Sequence, residues 1–343
     1  MLRTYKPINH PIFTLHSHLE HLVCQVWCNA SNNNSCSDLL DENFEEIYNA
    51  YDWLKEKVDA IYEKCKNLTD DQRALIREAF ITNNRIEELC EGKLLPIPLN
   101  ELPNVVKDDM KPLMIKFYDY LIDRVEVPGD KLDYYNKLLE KNPTFETCPC
   151  CGLSRIESPE THYREDNDHY LPKAKYPFAS VNFQNLVPLC SKCNKKCKST
   201  KNPFSSNRIS FYAFDTKHIP IEVTVVIKDS DDLDYLKLRI KDITIDFGKA
   251  NVNKISTWDW LFKIKERYNK ETRSFSKTEL RTIANRQLRN NKRKTGLTYE
   301  EILDDAIEDY EIEIFEDRKF LKVPFLKCMK TKPEWMAVYS FYT

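Results

Sequence analysis

The chain has 343 residues, 41% of them hydrophobic and 31% charged, which is typical of a folded protein with room for two or three domains. Its five glycines form no nucleotide-binding cluster, so we do not expect this chain itself to use ATP. The start has no signal-peptide pattern, and no apolar run reaches the ~18 residues of a membrane span, which predicts a cytoplasmic protein without a membrane partner.

The first predicted domain, residues 1–145, is helical. Leu39–Asn67 carries apolar residues at three-and-four spacing, so one helical face packs inward. Thr69 is a candidate N-cap for a second helix that runs to about Leu89. A proline-rich stretch follows, and Asp109–Arg124 resumes the helical pattern.

Histidines and cysteines near the N-terminus allow two interpretations. His21, Cys24 and Cys28 fall on one helical face, where a metal ion is conceivable. The favoured interpretation is an amphipathic helix whose apolar residues pack into the core.

A change in composition separates the rest of the chain into residues 146–204, rich in Cys, Asn and Lys, and residues 205–343. The latter begin with alternating patterns that predict strands, and then become helical from Trp258 to about Lys294. Thr298 and Glu301 form a capping box that opens a further helix. The predicted fold class is therefore α+β. The predicted strands are Ile209–Asp215, Ile221–Asp229 and Leu236–Phe247.

The most specific motif is a pair of C-x-x-C sequences. Cys148 and Cys151 form the first, and Cys190 and Cys193 form the second. Two residues between ligands let a tight turn direct both sulfurs at one ion, and four thiolates suit a closed, structural zinc site. In a reducing compartment such pairs indicate metal binding rather than disulfides.

Between the cysteine pairs lies an adjacent Asp168 and His169. Hydrolysis of a phosphodiester needs a hard cation to neutralise the phosphate and a base to take a proton from water. Asp168 is a hard oxygen ligand, and a histidine such as His169 can act as a base near neutral pH. Neighbouring residues on a strand point to opposite sides, so one can reach metal and the other water.

Taken together, CPCCG, DHYLPK, NLVPLC and SKCNKKCK resemble the HNH endonuclease superfamily with its ββα-metal fold. The resemblance covers Cys148–Lys201, about a sixth of the chain. It implies that Asp168 and Asn194 bind a catalytic divalent ion, Mg²⁺ or another, and that His169 is the general base. Asn185 would steady the loop that orients His169.

The resemblance also implies lysine contacts to phosphate beside the site. Many relatives have a lysine three residues after the last metal ligand, where this chain has Cys197, so Lys196 or Lys198 would take over that contact. The candidate nucleic-acid-binding lysines are Lys173, Lys175, Lys195, Lys196 and Lys198.

Opposite charge blocks lie near the C-terminus. Lys263–Lys294 has twelve Lys or Arg against three Glu, and Glu300–Asp317 has ten Asp or Glu and no Lys or Arg. The basic block follows a phosphate backbone, or is a solvated helix, or is a surface that pairs with the acidic block.

These features predict a metal-dependent endonuclease with DNA favoured over RNA as the nucleic-acid partner. The flanking regions resemble those of nuclease subunits of bacterial anti-phage systems such as Septu and some retrons, which implies an ATPase partner. The alternative is a zinc-stabilised nucleic-acid-binding or protein-interaction module without catalysis.

Overall fold

A computed structural model describes residues 1–340 of the chain. It is dominated by helices and contains two small antiparallel sheets, which confirms the α+β class at a coarse level. The helices are α1 Thr14–His21, α2 Glu42–Ala50, α3 Asp52–Cys65, α4 Asp70–Asn83, α5 Ile86–Glu91, α6 Lys111–Asp119, α7 Lys131–Lys141, α8 Val252–Phe262, α9 Ile264–Arg293, α10 Tyr299–Glu311, α11 Lys319–Lys330 and α12 Trp335–Ser340; the strands are β1 Asn167–His169, β2 Leu186–Pro188, β3 Val223–Ile227 and β4 Ile243–Phe247.

The chain forms two compact units. The first contains residues 3–150 and 155–218, and the second contains residues 151–154 and 219–340. Residues 205–218, which the sequence placed in the C-terminal region, lie in the first unit.

Helices α1 to α7 belong to the first unit, and their starts follow from local capping. The Thr69 hydroxyl accepts a hydrogen bond from the Gln72 amide at 3.2 Å, and Gln72 Oε1 accepts one from the Thr69 amide at 3.1 Å, as expected for a capping box. The segment Leu39–Asn67, whose pattern suggested a continuous helix, is broken at Tyr51, which has an extended backbone. The Tyr51 hydroxyl donates to Glu126, a tertiary contact that local periodicity does not reveal.

The N-terminal helix packs as the favoured interpretation predicted. Leu19, Leu22 and Trp27 are fully buried, and the His21 ring lies 2.8 Å from the Leu39 carbonyl oxygen. Among residues 1–340, the structure brings one group of potential metal ligands together, and this group includes neither His21 nor Cys24.

The second unit has β3 and β4 as an antiparallel pair, with Val223 opposite Phe247 and Ile227 opposite Ile243. Helix α11 packs against β3, and the long helix α9 packs against β4. Thr298 and Glu301 cap α10 as predicted. The predicted strand Ile209–Asp215 is wrong: the segment makes isolated backbone hydrogen bonds, such as Tyr5 N to Ala213 O, rather than a ladder.

Candidate metal centre and adjoining acid–histidine site

The four cysteines of the two C-x-x-C motifs meet in the structure. All four side chains are buried, and their sulfur atoms lie within 4.8 Å of one another. A tetrahedral ion with Zn–S bonds of ~2.3 Å holds its sulfurs roughly 3.8 Å apart, so a small contraction completes the site. These residues therefore lie close enough to bind one metal ion, and four sulfur donors suit zinc. The cluster consists of Cys148, Cys151, Cys190 and Cys193.

Two local features support the two cysteine motifs. Gly152, directly after Cys151, has a positive φ of 64°, and a Cβ there would lie 2.6 Å from Leu2 Cδ2. Any other residue would be strained and would clash at that position. In the second motif the Cys190 amide donates to Cys148 Sγ at 3.5 Å, an interaction that stabilises a thiolate.

Between the cysteine motifs, β1 and β2 pair antiparallel. A short π-helix, Lys192–Lys198, begins within the second motif. Asp168 is opposite Val187 and His169 is opposite Leu186. The acid–histidine pair thus lies at the end of a strand, and its two side chains have different partners.

The Asp168 carboxylate is buried, with 2% of the residue exposed. Its Oδ1 accepts a hydrogen bond from Lys198 Nζ at 3.0 Å, whereas Oδ2 has no hydrogen-bond partner. Burial raises the pKa of this carboxyl, and the Lys198 charge opposes that rise. An unpartnered, buried carboxylate oxygen is costly, and a cation ligand would relieve that cost.

Lys198 itself is 1% exposed, and its Nζ also donates to the His169 carbonyl oxygen at 2.7 Å. The structure places this lysine inside the fold on Asp168, whereas Lys196, the other candidate for the phosphate contact, is exposed. A contact between Lys198 and substrate phosphate would need the phosphate to reach a nearly inaccessible ammonium group.

The His169 ring is held from two sides. Its Nε2 lies 3.0 Å from the Ser180 carbonyl oxygen, and the Tyr118 ring packs edge-on with centroids 4.4 Å apart. A carbonyl oxygen only accepts, so Nε2 carries the proton and Nδ1 keeps the lone pair. Burial, together with the charge of Lys173, lowers the pKa of His169 to about 3, which keeps the imidazole neutral.

The Asn185 side chain bonds to backbone groups of the loop between β1 and β2. Its Oδ1 accepts from the Leu171 amide at 2.6 Å, and its Nδ2 donates to the carbonyls of Leu171 at 3.1 Å and Ala179 at 3.0 Å. Ala179 precedes Ser180, the residue that binds the His169 ring. The side chain is fully buried, so each of these groups depends on it for a partner.

Replacing Asn185 with alanine is expected to lower the free energy of unfolding by about 1–3 kcal/mol or more, since buried donors and acceptors lose their partners. Urea unfolding measures the change. The neighbouring exposed Gln184→Ala is the control and should stay within about 0.5 kcal/mol of wild type. Equal stability of the two variants would contradict this role.

The remaining candidates lie nearer the surface. Asn194 is half-buried and donates through Nδ2 to the Asp166 carbonyl oxygen at 3.3 Å. Lys195 pairs with Asp166 at 2.6 Å, and Lys173 pairs with Asp119. Lys175 and Lys196 are exposed.

Two residues of this site were missed by the sequence interpretation. Tyr118, on α6, contacts the His169 ring, and Ser180 supplies the carbonyl that sets its tautomer. A backbone carbonyl has no residue-type signal, and Tyr118 lies some fifty positions before His169, so no local pattern identified either one.

The basic block of the second unit forms most of α9. Arg286, Arg289 and Arg293 line a cavity of about 230 Å³ together with Asp305 of α10. Arg286 lies 3.4 Å from Asp309, so the acidic block neutralises part of this surface. The structure therefore shows part of the pairing with the acidic block, and the phosphate-backbone interpretation stays a prediction.

Comparison with protein-family models, with curated proteins and with solved structures finds no match to this chain. No helix among residues 1–340 combines the length and apolar character needed to cross a membrane.

Proposed function

We propose that this chain is a metal-dependent endonuclease that hydrolyses phosphodiester bonds, with DNA favoured over RNA. The observation that carries the proposal is the Asp168–His169 pair at the end of β1. One residue offers an unpartnered carboxylate oxygen, and the other offers a neutral imidazole in a set tautomer. The strand pair, the following short helix and the adjoining four-cysteine cluster support it, because they agree with the order of elements that the HNH resemblance implies.

In this mechanism His169 accepts the proton of the attacking water at Nδ1, while Ser180 and Tyr118 hold the ring. Negative charge on the bound phosphate favours the imidazolium and so strengthens the base. Asp168 and Asn194 offer oxygen donors that suit Mg²⁺ or another hard divalent ion, which would neutralise charge on the phosphate. Lys198 adds a fixed positive charge next to Asp168.

The test is a cleavage assay on plasmid DNA and on RNA with Mg²⁺, Mn²⁺ or Ni²⁺. Replacing His169 with alanine is expected to slow cleavage about 10²- to 10⁴-fold, the usual contribution of a general base. The matched control is His162→Ala, an exposed histidine nearby, which should cleave at the wild-type rate. If His169→Ala cuts as fast as wild type, the assignment of the base is wrong.

A second candidate function is nucleic-acid binding without cleavage, by a zinc-stabilised module. The observation that favours it is the buried Lys198–Asp168 ion pair, because the ammonium already neutralises the carboxylate that a catalytic ion would need. Wild-type protein that binds DNA but cuts neither substrate with any of the three ions supports this candidate.

The proposed role in anti-phage defence with an ATPase partner is tested by repeating the assay with the product of a neighbouring ATPase gene.

A further inference from the structure

The first unit contains a cleft of about 590 Å³ apart from the acid–histidine pair. This volume is within the range of pockets that bind small organic molecules, roughly 300–1,000 Å³. Aromatic rings form much of its wall. The Phe183 and Tyr134 rings, for example, pack with centroids 4.5 Å apart. The aromatic residues of the cleft are Phe13, Tyr134, Phe183, Tyr212 and Phe214.

Polar groups of the cleft are mostly uncharged. Glu87 is a carboxylate, but no Lys or Arg is found among the described residues that line the cleft. A ligand seated here is therefore not anionic, and a phosphate group would have to remain outside. The amides and hydroxyls that line the cleft belong to Asn9, Ser17, Asn84, Asn182, Gln184 and Thr216.

His16 also lines the cleft. Its ring stacks on Phe80 with centroids 5.7 Å apart and an interplanar angle of 11°, and its Nδ1 is buried without a hydrogen-bond partner. Burial lowers the pKa of His16 to about 4, so the ring stays neutral near neutral pH. Because Nδ1 has almost no accessible surface, the ring contributes an uncharged wall to the cleft rather than a hydrogen bond to a ligand.

The cleft adjoins the loop that holds His169. Asn182, Phe183 and Gln184 line it and directly precede Asn185. Asn182 Nδ2 donates to both the carbonyl and the side-chain oxygen of Asn84, at 3.1 and 3.0 Å. Occupancy of the cleft therefore bears on the same loop that orients the imidazole.

A ligand that matches these walls is flat, has apolar faces, carries donors and acceptors around its edge and lacks negative charge. A nucleobase has all four properties, since every base stacks on aromatic rings through its π-face and hydrogen-bonds through its edge. Aliphatic ligands would make no use of the exposed Gln184 amide, and anionic ones would face Glu87 without a cation.

We propose that this cleft binds one unpaired nucleobase, either as a free nucleoside or as an unstacked base of a single strand. The strand-borne version rests on the proposed function, whereas nucleoside binding does not need cleavage at all. A base seated here would lie against Phe183 and Tyr212 and bond to the exposed Gln184 amide.

The test uses full-length, zinc-loaded His169→Ala protein, so that nothing is degraded. Calorimetry measures binding of adenosine, guanosine, cytidine, thymidine and uridine, and fluorescence anisotropy measures binding of short single-stranded oligonucleotides. In this His169→Ala background, Tyr212→Ala should weaken binding roughly 5- to 150-fold, as expected for loss of one base–aromatic stack. Ser17→Trp fills the cleft and should weaken binding to a similar extent. Gln184→Met keeps an unbranched side chain of similar length but removes its hydrogen bonds, and it should change the preference among bases.

The control is Tyr163→Ala, which removes an aromatic ring that is 73% exposed and lies outside the cleft. It should leave binding unchanged, and circular dichroism confirms that all variants fold. Nucleoside binding identifies the free ligand as a source, and oligonucleotide binding alone identifies the strand. The proposal fails if neither binds at millimolar concentration, or if the cleft variants bind like wild type. Neither result affects the cleavage assay, which separates this failure from that of the nuclease.

Discussion

Replacing Cys193 with serine is expected to abolish tight metal binding and to unfold the region around the two cysteine motifs. Serine cannot supply the thiolate that completes a four-sulfur site, and structural zinc contributes apparent binding energies of about 10–16 kcal/mol in small domains. That is as large as the whole stability of a typical domain, about 5–15 kcal/mol. The zinc content, measured by mass spectrometry, should fall from about one zinc per chain to near zero, and the melting temperature should be lower.

The matched control is Cys197→Ser, four residues further on. Cys197 is also buried but is not part of the four-cysteine cluster, so zinc content should remain that of wild type. Treating wild-type protein with a strong chelator should reproduce the Cys193→Ser phenotype. If Cys193→Ser retains stoichiometric zinc and the wild-type melting temperature, the cluster is not a zinc site.

Replacing Lys198 with methionine is expected to lower the free energy of unfolding by about 3–5 kcal/mol, because it leaves the buried Asp168 carboxylate without its counter-charge. Methionine fills a similar volume, so lost packing contributes little. The double variant Lys198→Met with Asp168→Asn should recover much of that loss, since the uncompensated charge is gone. Urea unfolding of wild type, Lys198→Met, Asp168→Asn and the double variant completes the double-mutant cycle.

The control is Lys196→Met, an exposed lysine in the same short helix, which should stay within about 0.5 kcal/mol of wild type. Divalent ions provide a further comparison. If Asp168 binds a catalytic ion, Mg²⁺ should stabilise Lys198→Met more than wild type, because the ion replaces the missing charge. A Lys198→Met protein as stable as Lys196→Met would show that the ion pair contributes nothing.

Sequence reasoning succeeded where the signal is short and chemical. A C-x-x-C turn brings two sulfurs together by itself, so Cys148 and Cys151 needed only the second pair to complete the cluster. The capping boxes at Thr69 and Thr298 are likewise set within four residues of chain. In each case the interaction is local, which is why pattern and structure agree.

It failed where distant segments decide the outcome. The alternation of Ile209–Asp215 resembles a strand, yet a strand needs a neighbour to form a ladder, and none lies beside it among the described residues. Lys198 shows the same limit within the site. Folding of the short helix against β1 buries it on Asp168, which its charge and its position in the sequence do not reveal.

By itself, the sequence determined the four cysteines that cluster, the coarse α+β class and the candidate pair Asp168 and His169. The tertiary structure alone decided which nitrogen of His169 keeps its lone pair, which group neutralises Asp168, and that aromatic residues far apart in the chain enclose a cleft beside Asn185. The physical reason is burial. Desolvation and hydrogen-bond satisfaction depend on every segment packed around a group, and no local pattern contains those neighbours.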